Sequence, residues 1–92
     1  MFLPGELICL SYDAELRAEP KYFDNNETKN AIIVTAEVPD GTTCLVLAAL
    51  SDAVTQPDQI SRGCTWYLLL SPTGIGWDFF INKHVENTAK VF

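Results

Sequence analysis

A chain of 92 residues has room for one domain and one modest core. Hydrophobic residues make up 48%, which argues for a folded globule. Twelve acidic side chains against six basic ones leave a net charge of −6, so an electrostatic grip on a phosphate backbone, and with it direct nucleic-acid binding, is disfavoured.

Met1 to Tyr12 opens with a Pro4-Gly5 turn and continues as an apolar run suited to a first strand, with Leu7 and Cys9 on one face and Ile8 and Leu10 on the other. Pro4, Gly5 and Glu6 interrupt the opening run before it reaches the length of a signal peptide or a membrane span, so the expectation is a soluble, cytoplasmic protein with no membrane partner. Asp13 to Asn30 is charged and contains Pro20, which disfavours helix there; it reads as one long acidic loop. Ala31 to Val38 is β-branched, Pro39-Asp40-Gly41 is a turn, and Thr42 to Leu50 is a strand apolar on both faces. These segments read together as a hairpin. Ser51 to Gly63 is a polar connection around Pro57.

Cys64 to Asn82 holds both tryptophans and reads as a second hairpin, closed by a loop of about three to five residues at Ser71-Pro72-Thr73-Gly74. Trp66, Leu68 and Leu70 share one face of its first strand, and Tyr67 and Leu69 the other. Trp66 and Tyr67 therefore cannot both point inward, and one of them, with Phe80 or Trp77, is expected on an outer face. Lys83 to Phe92 fits either a short terminal helix, through Val85, Ala89 and Phe92, or an edge strand.

No catalytic, cofactor or metal signature stands out. Cys9, Cys44 and Cys64 lie far apart in apolar stretches, without metal-ligand spacing, and read as reduced core thiols. His84 is the only histidine, so nucleophilic catalysis would have to pair it with Cys64; Asp13 and Glu15 are the alternative acid/base pair. Gly74-x-Gly76 lacks the strand-to-helix context of a phosphate cradle and reads as a turn pair.

The residues Pro4 to Ile8, Ala31 to Val38, Cys44 to Leu47, Trp66 to Leu70 and Gly74 to Trp77, spread over most of the chain, give it a resemblance to the SH3-like small β-barrels, in particular to short stand-alone barrels of phage and other mobile genes. The resemblance implies an all-β, mainly antiparallel, five-stranded barrel spanning residues 1–92, with a short C-terminal helix or an extra strand; α+β is the alternative. Leu10-Ser11-Tyr12-Asp13 and Trp66-Tyr67 also look similar to the groove of peptide-binding SH3 domains, although Asp78-Phe79-Phe80-Ile81 lacks that family's groove proline and tyrosine.

The functional expectation is a non-enzymatic interaction protein that binds a protein partner or itself as a homodimer. Its contact residues would be Tyr12, Asp13, Glu15, Trp66, Tyr67, Trp77 and Phe80, exposed aromatics beside an acidic loop. Alanine at both Trp66 and Tyr67 would then abolish partner capture and leave the fold intact. The alternatives are an acidic inhibitor that mimics nucleic acid and a small enzyme using Cys64 with His84 or Asp13 with Glu15.

Overall fold

The computed structural model describes residues 1–20, 33–51 and 63–91. Seven strands form one sheet: β1 (Leu7–Leu10), β2 (Ala14–Arg17), β3 (Val34–Val38), β4 (Thr43–Ser51), β5 (Cys64–Ser71), β6 (Gly74–Ile81) and β7 (Ala89–Val91). A 3-10 turn (Asn82–His84) and the short helix α1 (Val85–Thr88) lead into β7, so the C-terminal segment is helix and strand in succession. The order across the sheet is β3-β2-β6-β5-β4-β1-β7, and every pairing is antiparallel. The fold is all-β; the expected five strands are corrected to seven in an open sheet.

Ala14 and Leu16 are buried while Glu15 is exposed, a two-residue period that makes β2 out of the start of the expected acidic loop. Its partner is β3, through Ala14↔Val38, Glu15↔Glu37 and Leu16↔Ala36. The expected hairpin of β3 with β4 does not form, although its turn does, with the Thr42 amide donating to Pro39 O at 3.2 Å and Gly41 at φ 86°. The turn instead hands the chain from one end of the sheet to its middle. β4, apolar on both faces, takes an interior place between β1 and β5; β3, which exposes Thr35 and Glu37, lies at the edge. Residues 21–30 of the expected loop, 31–32 of the expected strand, 52–62 of the polar connection and residue 92 lie outside the described residues.

The β5–β6 hairpin forms in full register from Cys64↔Ile81 to Ser71↔Gly74, so its loop is the two residues Pro72-Thr73, shorter than expected. Ser71 Oγ accepts from the Thr73 and Gly74 amides at 3.2 and 3.1 Å and closes the turn. Tyr67, Leu69 and Phe80 from this hairpin meet Ile8, Leu10, Leu16, Val38 and Val46 in the core. Phe2 seals one side, its amide donating to the Tyr67 hydroxyl at 3.2 Å.

β2 crosses β6 at very close range, and glycine makes this possible. A Cβ placed at Gly76 would lie 2.2 Å from Thr35 Oγ1 and 2.7 Å from Leu16 Cβ. The Gly74-x-Gly76 pair is therefore both turn and crossing point. Among the described residues, no helix is long and apolar enough to cross a membrane.

Candidate functional site

The seven expected contact residues do not form one surface. Trp66 and Tyr67 point to opposite faces, as the alternation requires, but both are 0% exposed, which corrects the expectation that either is available as a contact. Tyr67 lies in the core, its ring 5.7 Å from Phe2 and 5.1 Å from Phe80. Trp66 points to the opposite face, where Phe79 packs 5.1 Å away and the Arg17 guanidinium lies 5.9 Å from its ring centroid. The crossing of β2 over β6 brings Arg17 to this position, so the second face of the hairpin is covered at that end by the protein itself. Trp77, half-buried, sits on the same outer face opposite Leu68.

The alternation in β6 is the reverse of the one its polarity suggests: Asp78 and Phe80 point inward, and Trp77 and Phe79 outward. Register demands this, because Asp78 lies opposite the buried Tyr67 and Phe80 opposite the buried Thr65. Asp78 is 8% exposed; it accepts from the Tyr12 hydroxyl through Oδ2 and from the Phe79 amide through Oδ1 at 2.9 Å. Tyr12, whose ring meets Phe80 edge-on at 6.1 Å, is thus tied to the far end of the molecule's central hairpin. Burial pushes the Asp78 carboxyl above its ordinary value of 3.8, against the opposing pull of the Tyr12 and Phe79 hydrogen bonds and the Arg17 charge. The Tyr12 hydroxyl is likewise pushed up, first by burial and then by the Asp78 charge.

Around this pair lies a cleft of about 330 Å³, lined by Tyr12, Asp78, Phe80, Ile81, His84 and Asn87 among others. Tyr12, Phe80 and His84 stand out in the sequence; Asp78 does not. Its parity with Phe80 is the one signal that it turns inward.

A second cleft, of about 400 Å³, brings Asp13 and Glu15 together with Glu37, Val38 and Pro39. Glu15 and Glu37 stand directly opposite on β2 and β3, a like-charge pair that costs stability in a sheet. Asp13 is engaged structurally, its Oδ1 accepting from the Asp40 amide at 2.8 Å and holding the turn before β4. The carboxylates named for an acid/base pair do line a cleft, and three acids gather there. Compared with protein-family models, with curated proteins and with solved structures, the chain matches none of them.

Cys64 is buried and His84 exposed, an arrangement unlike the open thiol that a Cys-His nucleophile needs. Cys44 is also buried, and burial raises its thiol pKa. Cys9 is only half-buried, which corrects its expected place in the core.

The raised carboxyl of Asp78 has a thermodynamic consequence. Because the folded state holds the proton more tightly than the unfolded chain, the group's contribution to stability is full below 3.8 and is lost as pH rises through the higher folded value. Asparagine mimics the neutral acid, with Oδ1 accepting from Phe79 and Nδ2 donating to the Tyr12 oxygen. We expect Asp78→Asn to remove this part of the slope in a series of denaturant melts from about pH 3 upward. Parallel wild-type and variant curves would show that Asp78 ionises freely in the folded state.

Proposed function

We propose that this chain is a small non-enzymatic interaction module that docks through the outer face of β1, β4, β5 and β6, and that its partner there is a second copy. What carries this reading is a cross-strand row of aliphatic side chains, Leu7↔Leu45↔Leu70↔Ile75, running over four adjacent strands. Leu7, Leu70 and Ile75 are 46, 45 and 47% exposed, and Leu47 at the β4 bulge extends the patch. The adjoining row, Ala48↔Leu68↔Trp77, is also apolar. A contiguous apolar face of this kind marks an interaction site more often than isolated surface leucines do.

Charge favours a second copy as the occupant. Two chains of net charge −6 repel at most approaches, and within β1, β4, β5 and β6 these rows contain no acidic or basic side chain, so the face can meet itself without placing like charges in contact. The sheet is open and seven-stranded, and what supports an SH3-like reading of it is the strand order around this face. β1 is followed by a long excursion, here carrying the β2–β3 hairpin, and β4, β5 and β6 then succeed one another as antiparallel neighbours. The carboxylates gathered at Asp13, Glu15 and Glu37 favour a second reading, a docking edge for a basic surface such as one that normally holds nucleic acid.

Light scattering over a concentration series tests the first reading. The wild-type chain is expected to move from monomer to dimer, and Leu70→Lys with Ile75→Lys to remain monomeric with an unchanged circular dichroism spectrum, since both side chains are half-exposed. A wild-type chain that stays monomeric at every concentration would sink the self-association.

A further inference from the structure

The Tyr12–Asp78 cleft is distinct from the outer apolar face and has a different chemistry. Its walls are aromatic and aliphatic, from Tyr12, Phe80 and Ile81, and its polar members are Asp78, His84 and Asn87. Asp78 has two hydrogen-bond donors among the described residues, Tyr12 and Phe79, while an ionised carboxylate has about four lone-pair sites for acceptance. Asp78, 8% exposed, accepts from two neutral donors and lines a cleft of about 330 Å³, and no counter-ion among the described residues is in contact with its carboxylate. A buried charge of this kind is costly until it is paired. Among the described residues, the Arg17 charge acts on Asp78 from the other face of the hairpin, where its guanidinium lies over Trp66 and Phe79.

We infer that this cleft binds an organic cation, an alkylammonium or guanidinium group, with Asp78 as its counter-ion and the half-buried Tyr12 ring against its aliphatic stem. The volume suits a head group with a few methylenes, and the aromatic wall favours a cation over a neutral group. The net charge of −6 raises the local concentration of such ligands. The cation is either free or the head group of a basic side chain on a partner protein; the recognition chemistry is the same.

The test uses the full chain at about pH 8. Butylguanidine is titrated while the Phe79 amide is followed by NMR, with butylurea as the uncharged isostere. A capped Gly-Arg-Gly peptide provides the side-chain arm. Saturable shifts at Phe79 with butylguanidine, at least tenfold weaker for butylurea and for Asp78→Asn, are expected. If only the peptide gives this discrimination, the cleft binds a cation presented by a partner, and the inference stands in that form. Equal affinity for the charged and neutral ligands, or no saturable response to butylguanidine and peptide alike, would overturn it. The wild-type comparison of the two isosteres decides the matter even if Asp78→Asn fails to fold.

Discussion

Replacing Gly76 with alanine is expected to cost about 2–3 kcal/mol of stability, and with valine more, because overpacking at a rigid contact cannot be relieved by side-chain rotation alone. Thr35 Oγ1, 2.2 Å from the added Cβ, is able to swing away. Leu16 Cβ at 2.7 Å and the Arg17 carbonyl oxygen at 3.0 Å are fixed to the backbone of β2, so that strand has to lift. β2 and β6 share a single register pair, Arg17↔Trp77, which offers little resistance to peeling. Once β2 lifts, Leu16 and Ala14 leave the core, Arg17 leaves its place over Trp66, and β3 goes with its partner. Urea denaturation of Gly76→Ala measures this directly. A variant within about 0.5 kcal/mol of wild type, the usual range for a harmless surface change, would mean that the two strands are not in close contact at this point.

The sequence made the β5–β6 hairpin legible because its signals are local: a β-branched and aromatic run, turn residues, then a second aromatic run. It made the turn at Pro39-Asp40-Gly41 legible for the same reason. Which strands that turn joins was not legible, since turn chemistry reports a change of direction and says nothing of the pairing on either side. β2 escaped notice because two of its four residues, Glu15 and Arg17, are charged and only Ala14 and Leu16 face inward. The Tyr12–Asp78 contact spans 66 residues of chain, and no short-range pattern encodes it. Of the expected contact residues, Tyr12 and Phe80 meet at one cleft and Asp13 and Glu15 at another, so the candidate residues were in part legible and their grouping was not.

Alanine at both Trp66 and Tyr67 is expected to unfold the chain. Truncating a fully buried aromatic ring costs about 3–5 kcal/mol, and the two rings lie on opposite faces of β5, so neither cavity is refilled by the other's neighbours. Tyr67→Ala also removes the hydroxyl that receives the Phe2 amide. The combined loss of about 6–10 kcal/mol is comparable to the whole stability of a typical domain, about 5–15 kcal/mol. Far-UV circular dichroism at 25 °C should show the double variant unfolded, and Trp66→Ala alone folded but weakened. A double variant that melts cooperatively near the wild-type midpoint would place these rings outside the structural core. Loss of partner capture in the double variant therefore reports unfolding and locates no surface, whereas the half-exposed Leu70 and Ile75 can be charged without emptying the core, and a loss of association there belongs to the face itself.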